Sequence, residues 1–317
     1  MHDLAVIVVS TNEARWLRAC LRSVYRHAAT LALDVVVADN ESTDGTRELV
    51  ETEFPAARVV TCANRGFAHA NNRAYQTCDA RYALFLNPDT EVLAGSFDAL
   101  VSALDERPSV GLVGVRQVTA DGELSPTVRR FPNALRALGE ALASERLPVH
   151  AGWLGERELR LERYRRELRC DWTSGSFMLA RREALESAGL LDERFFIYSE
   201  EPDLCLRIVR AGWEVRHLPE MTILHHADKA GVSARMTAQD AYARVQYARK
   251  HFGAAHRAAY RGALTLRWLL RLAAPAPRRP AARAALAILL GRAAPPFGPP
   301  PAQAVAPRRL EAAAVEE

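Results

Sequence analysis

The sequence predicts an α/β fold: a mostly parallel sheet flanked by helices, with a C-terminal helical basic extension. Three observations carry that prediction. Four short runs are apolar almost throughout, LAVIVVS (4–10), LDVVVA (33–38), ARVV (57–60) and YALFL (82–86), and continuous Val/Ile/Leu strands are those of a parallel sheet buried on both faces. Segments of helical rather than alternating period separate them. Each run also ends in a polar loop: Ser10-Thr11-Asn12-Glu13, Asp39-Asn40-Glu41-Ser42-Thr43-Asp44-Gly45, Asn64-Arg65-Gly66-Phe67 and Asn87-Pro88-Asp89. Right-handed crossovers between parallel strands bring all four loops to one edge of the sheet, where open α/β sheets bind ligands.

The elements follow in chain order. After the first strand, Leu17, Cys20, Leu21 and Val24 recur at helical spacing behind a Ser/Thr/Asn start signal. ADNESTDGT leads from the second strand into a short helix at TRELVETE, and NRGFAHANNRAYQTC supplies a loop and helix after the third. In LFLNPDTEV (84–92) the fourth strand stops at Asn-Pro-Asp. Taken singly, each loop has a structural reading: Asn12 and Asp44 as helix caps, Gly45 and Gly66 as turn residues, Asp89 as a turn acid. Four polar loops at one edge point instead to a site. Neither G-x-G-x-x-G after the first strand nor G-x-x-x-x-G-K-[ST] is present, which disfavours a dinucleotide fold and a phosphate-cradling loop of the usual kinds.

With 317 residues, 49% hydrophobic and 25% charged, the composition is that of an ordinary soluble chain with a real core. The five cysteines are far apart and include no C-x-x-C pair, so neither a disulfide framework nor a zinc knuckle is expected. The apolar run LAVIVV, preceded by Asp3, is too short for a signal peptide or a membrane span; the expectation is a cytoplasmic protein. The net charge of +4 is uneven: residues 241–310 hold thirteen Arg and Lys and no acid. Within that stretch GALTLRWLLRLAA (262–274) and AARAALAILLG (281–291) are apolar segments studded with Arg and parted by PAPRRP. Two readings stay open for them. They are amphipathic helices lying on an anionic membrane surface, or helices packed on the body with Arg facing solvent. A basic nucleic-acid surface is disfavoured, because no interleaved aromatics or module signature accompany the charge. After residue 293 the Pro/Ala-rich sequence is expected to be disordered. The domain expectation is thus 1–255 for the α/β unit, 256–292 for the basic helical extension and 293–317 for the tail.

VIVVSTNE, VVVADNESTDGT, NRGFAHANNRAY and LFLNPDTEV together resemble the successive signatures of the inverting family 2 glycosyltransferases of GT-A (Rossmann-like) fold. The likeness is to the rhamnosyltransferase-like branch, in which NPD replaces the usual D-x-D. A fifth block, DWTSGSFMLARREALESAGLLDERFFIYSEEPDLCLRIVRAGWEV (171–215), resembles the acceptor and catalytic region of that family. The resemblance implies transfer of a sugar from a nucleotide-diphosphate donor, with a metal ion, Mg²⁺ or Mn²⁺, on the diphosphate. It implies Asp89 as the metal carboxylate and Asn87 where the more familiar motif has its first acid. Asp39 would hold the base or ribose, with Thr11, Glu13 and Arg65 as further nucleotide contacts. The family's catalytic Asp, in an E-D pair followed by x-D-L, corresponds to Glu201 in Glu200-Glu201-Pro202-Asp203-Leu204. Glu201 is one methylene longer, and Glu200 is the other candidate base; a helix start with acids favoured by the macrodipole accounts for the same run structurally.

TILHHADKAGVS (222–233) resembles the family's H-x-n-S element, which implies His225 near the metal or diphosphate. Trp172, Ser174 and Gly175 match the acceptor-side segment, where an aromatic face can stack on a sugar. The Q-x-x-R-W motif of processive synthases is missing, which implies one sugar added per encounter. The acceptor implied is a glycan or a lipid-linked molecule, met peripherally at the inner face of the cell membrane. A catalytically impaired scaffold that keeps the nucleotide pocket is the alternative, prompted by Glu201 in place of Asp.

Overall fold

A computed structural model of the chain describes residues 1–142, 154–226, 233–272 and 279–298. The first four strands are β1 (His2–Ser10), β2 (Leu33–Asn40), β3 (Arg58–Cys62) and β4 (Ala80–Leu86). Each reaches its polar loop as expected. They alternate with α1 (Ala14–Arg26), α2 (Thr46–Glu53) and α3 (Phe67–Tyr75). Then come β5 (Thr90–Ala94), α4 (Phe97–Asp105), β6 (Val110–Val118), α5 (Ala134–Leu142), a 3₁₀ turn at Leu161–Arg165, β7 (Leu168–Arg169), β8 (Phe177–Arg181), α6 (Arg182–Ala188), α7 (Glu200–Arg210) and β9 (Glu214–His225). The helices α8 (Ala234–His251), α9 (Ala254–Leu272) and α10 (Arg279–Leu289) complete the described chain.

The strands form one sheet in the order β3-β2-β1-β4-β8-β6-β9-β5, with β7 also paired to β9. β1, β2, β3 and β4 run parallel, with Ser10 beside Asp39, Asn40 beside Cys62 and Val8 beside Leu86. Their carboxyl ends are therefore level. β8 runs antiparallel between β4 and β6, pairing Leu86 with Phe177. That reversal sends the segment before Phe177 out at the same edge as Asn87. β5 runs antiparallel to β9 and pairs Thr90 with His225, which brings the end of β9 to the same place.

Both sheet faces are covered. Leu17, Leu21 and Val24 of α1 and Phe97, Leu100 and Leu104 of α4 pack with the side chains of one face. Ala68 and Ala70 of α3, Leu185 of α6 and Leu204 and Ile208 of α7 pack on the other. The small alanines let α3 approach closely, and each buried leucine is worth about 2 kcal/mol.

The C-terminal helices pack on the body, the second of the two readings above. α9 lies along α5 and α10 along α8, burying Ala137, Ala241, Tyr260, Leu264, Ala285 and Leu289 in a core of their own. Several bases meet acids there: Arg244 pairs with Glu156 and Asp240, and Arg267 with Glu140. The outer faces are not purely polar, since Leu269, Leu270 and Leu290 are about half exposed. Among the described residues no helix is long and apolar enough to cross a membrane. Of the Pro/Ala-rich tail, Phe297 packs rather than trailing free: its ring stacks on Phe196 at 4.4 Å under the Arg235 guanidinium. Residues 299–317 lie outside the described residues.

Candidate active site

The edge of the sheet is built by side chains that tie one loop to the next. Asn40, at the end of β2, donates through Nδ2 to Thr11 Oγ1 at 3.1 Å and to Asn64 Oδ1 at 3.0 Å. Asn12 takes a left-handed backbone (φ 58°) and accepts the Thr43 N–H through Oδ1 at 2.7 Å. Asp44 accepts from the Ala14 N–H at 2.9 Å and the Thr46 N–H at 3.2 Å, so one carboxylate caps α1 and α2 together. Burial alone would raise its pKa, yet these bonds, with the Thr46 hydroxyl, leave it below the usual range. Asp39 is buried and accepts the Ser42 N–H at 3.0 Å. Glu13 ends this loop, its carbonyl accepting from Trp16 and Leu17 in the first turn of α1. Arg65 is exposed beside Gly66. Gly66 has φ 104°, and a Cβ there would meet Phe196 O at 2.3 Å, which fixes this loop against the segment leading to α7.

The turn after β4 is held from both sides. The Asn87 N–H donates to Ser176 O at 3.1 Å, and Asn87 O accepts the Thr90 hydroxyl at 2.7 Å. The two histidines ending β9 and following it meet different acids. His225 Nε2 is 3.2 Å from Asp89 Oδ1, while His226 Nε2 is 2.7 Å from Glu91 Oε1 with its ring stacked on Trp16 at 4.2 Å. Asp89 and His225 are thus brought together. Among the described residues no cluster of three potential ligands forms.

Across the edge, α7 begins under strain. Tyr198 and Ser199 both have left-handed backbones (φ 72° and 68°) immediately before Glu200, a conformation that costs on the order of 1 kcal/mol or more for such residues. Glu200 is buried and its Oε2 finds no partner among the described residues. Burial and the Glu201 charge push its carboxyl well above the usual range. Glu201 keeps part of its surface open. Burial raises it too, but the backbone at the helix start, the Arg129 guanidinium and the Gly175 N–H all oppose the rise. Both adjacent carboxyls are thus raised, Glu200 well above the usual range.

The acceptor-side residues divide. Gly175 touches Glu201: a Cβ there would lie 2.8 Å from Oε1 and 2.9 Å from Cγ. Ser174 Oγ accepts from Ser176 Oγ at 3.2 Å. Trp172 does not offer an open face to a sugar, contrary to expectation. It is 6% exposed, its indole N–H donates to Arg130 O at 2.9 Å, and the Arg129 guanidinium sits 4.8 Å over its ring. Its part is to hold Arg129, a cation worth about 1 kcal/mol or more on such a face.

The family model for Glycosyl transferase family 2 matches residues 5–189, from β1 through α6. The chain belongs to glycosyltransferase family 2. The N-acetylglucosaminyl-diphospho-decaprenol L-rhamnosyltransferase of Mycobacterium tuberculosis is 33% identical over 235 residues, covering 70% of this chain and 76% of its own length. Rhamnosyltransferase WbbL of Escherichia coli is 24% identical over 230 residues, with 70% and 83% covered. Among solved structures, the mannosyltransferase PcManGT of Pyrobaculum calidifontis in complex with GDP-Man and Mn²⁺ superposes with a TM-score of 0.55 at 19% identity, over 92% of this chain and 87% of that one. The fold is GT-A, with its mostly parallel sheet.

Within this family 2 member, three residues owe their part in the site to long-range contacts that the sequence alone does not show. Asn40 lies inside the second loop, but only its register beside Cys62 makes it a bridge to the first and third loops. Gly66 reads as a turn residue, and only its contact with Phe196 links the third loop to α7. Arg129 sits in no motif; a backbone ladder with Trp172, 3.0 and 3.2 Å in the two directions, carries it to Glu201.

Proposed function

We propose that this chain transfers a single sugar, rhamnose or another hexose, from a nucleotide-diphosphate sugar to a glycan or lipid-linked acceptor, with inversion and with Mg²⁺ or Mn²⁺. The observation that supports this best is that Asp89 meets His225 and Glu201 meets Gly175 in segments joined at the sheet edge by the Asn87 N–H to Ser176 O bond. The rhamnosyltransferase names of the two relatives support the sugar, and the decaprenol-linked substrate in one of those names supports the acceptor class.

The donor set fits a hard divalent cation. Such ions take one or two carboxylates and complete their shell with diphosphate oxygens, and Asp89 and His225 are close enough to serve as ligands together. A bound ion would neutralise charge on the departing diphosphate. The chain's own residues do the rest. Thr11, Glu13, Asp39, Arg65 and Asn87 contact the nucleotide from four loops. Glu201, whose ionised form Arg129 favours against burial and the Gly175 N–H orients, takes the proton of the acceptor hydroxyl as its oxygen attacks the anomeric carbon. The bond from that carbon to the diphosphate breaks on the opposite face. Glu200 stays protonated, so a second negative charge does not build up beside the base.

The test is transfer by purified protein, screened across nucleotide sugars with Mn²⁺, Mg²⁺ or EDTA, with the anomeric configuration of the product read by NMR. Asp89→Ala and Glu201→Gln are each expected to lose about 10³-fold in kcat with unchanged thermal unfolding. Full activity in either variant would overturn the role given to that residue, and nucleotide binding without turnover would favour the scaffold reading.

A further inference from the structure

Beside the acceptor segment lies a cavity of about 280 Å³, lined among others by Arg129, Arg130, Arg136, Glu158, Arg163 and Asp171, with Arg169 also on its wall. Five guanidinium groups there face two carboxylates, and both acids are committed. Glu158 pairs with Arg130, Arg160 and Arg163, and Asp171 accepts the Phe131 N–H at 2.7 Å and pairs with Arg136 at 3.8 Å. The wall is thus positive by three charges.

Its surroundings are apolar. Leu135 and Leu138 flank Arg136 on α5 and are 56% and 38% exposed; Leu159 and Leu161, next to Glu158 and Arg163, are 53% and 46% exposed. Exposed leucines grouped around a cationic hollow differ from leucines scattered singly, which need no explanation. The cavity is also near the chemistry. It shares Arg129 with Glu201, and Gly175 at the base is only three positions along the chain from Trp172, the next residue after Asp171 in the wall. That is a span of at most about 11 Å, short enough for a sugar to bridge.

We propose that this cavity binds the diphosphate ester of a lipid-linked acceptor, with the Leu135, Leu138, Leu159 and Leu161 rim taking the start of the hydrocarbon chain. The inference rests on the acceptor class proposed above and adds the place where that acceptor is gripped. Arg136 and Arg169 meet the phosphate oxygens by charge-assisted hydrogen bonds, and the sugar carried on the diphosphate extends past Arg129 to Glu201. An acceptor without the diphosphate keeps its sugar contacts but loses this hold.

The experiment is calorimetric binding of farnesyl diphosphate to the full-length protein in EDTA, so that metal-assisted capture at the donor site is suppressed. Wild type and Asp89→Ala are expected to bind it saturably and alike. The paired variant Arg136→Met/Arg169→Met is expected to weaken binding at least about tenfold, roughly the loss of one charge-assisted bond, while Arg169→Lys alone retains most of it. Farnesol and inorganic pyrophosphate, each carrying half of the ligand, are expected to bind more weakly. Unchanged affinity in a paired variant that unfolds at the wild-type temperature would overturn the proposal, as would pyrophosphate binding as tightly as the prenyl diphosphate. No sugar transfer is read, so a protein that fails to transfer rhamnose leaves this result standing, and the converse holds too.

Discussion

Gly175 and Glu201 show how one missing Cβ sets the position of a base. The Cβ of an alanine at 175 would stand 2.8 Å from Glu201 Oε1, and the carboxylate, as the far end of a flexible side chain, would swing away. Gly175→Ala is therefore expected to fold normally but to lose about 10²-fold in kcat, the order seen when a reacting group is misplaced by about 1 Å; steady-state kinetics beside a thermal melt checks both halves. The charge on Glu201 gives a second prediction. Its carboxyl is raised by burial and held down by Arg129, and the base works only when ionised. Activity should fall as pH drops through that raised value, above the ordinary glutamate range, and Arg129→Met should move the acid limb to higher pH. A kcat/KM profile with an unmoved limb would show that Arg129 does not act on the base. Arg129 also marks where the sequence stopped being legible. Asp89, His225, Glu201 and Gly175 stand in continuous motifs, and the first two and the last two meet in pairs, whereas Arg129 arrives through a long-range backbone ladder that leaves no local pattern.

At the level of elements, α7 carries the site and is anchored at its first turn. Asp203, fully buried, pairs with Arg207 at 2.9 Å, Lys250 at 2.6 Å and His251 at 2.7 Å, which binds the start of α7 to the end of α8. Burial opposes ionisation here, but the His251 hydrogen bond and the Arg207 and Lys250 charges leave the carboxyl below its usual 3.8. For a depressed acid the stabilisation is present above the unfolded-state value and lost as pH falls through the folded one. Asp203→Asn should thus cost about 3 kcal/mol at pH 7, the order for breaking a buried ion pair, with the difference from wild type shrinking below about pH 4. Denaturant unfolding at pH 7 and pH 3 would test it, and an equal loss at both would refute the linkage. The four parallel strands and α2 were readable because an apolar run or helical period closes on a Gly/Asn/Asp loop. The antiparallel β8 and β5 were not, since reversal of direction is set by which neighbours the strands find across the sheet, not by their own period.

For the whole molecule, the basic C-terminal region shows why charge alone did not decide between two readings. Its arginines are spread along helices whose inner faces are alanine and leucine. α9 and α10 bury Tyr260, Leu264, Ala285 and Leu289 against α5 and α8, and Arg244 and Arg267 are spent on Glu156, Asp240 and Glu140. Cutting the chain after Gly253 would therefore expose a core and lower the melting temperature, so lost membrane binding in such a truncation would say nothing about lipid. The outer faces leave a cleaner test. Leu269 and Leu270 are about half exposed, and Trp268 lies between the Arg267 and Arg271 guanidinium groups, 5.8 and 5.2 Å from its ring. Arg beside Trp with apolar neighbours is the composition of a helix that settles into an anionic interface. The full-length protein is expected to float with vesicles rich in anionic lipid and to release as salt rises. Leu269→Ser/Leu270→Ser should lower that binding several-fold without changing the melting temperature, because neither side chain belongs to the buried core. If the pair floats as well as wild type, the exposed end of α9 is only a solvated surface, and the membrane contact has to come from the leucines around the cationic cavity instead.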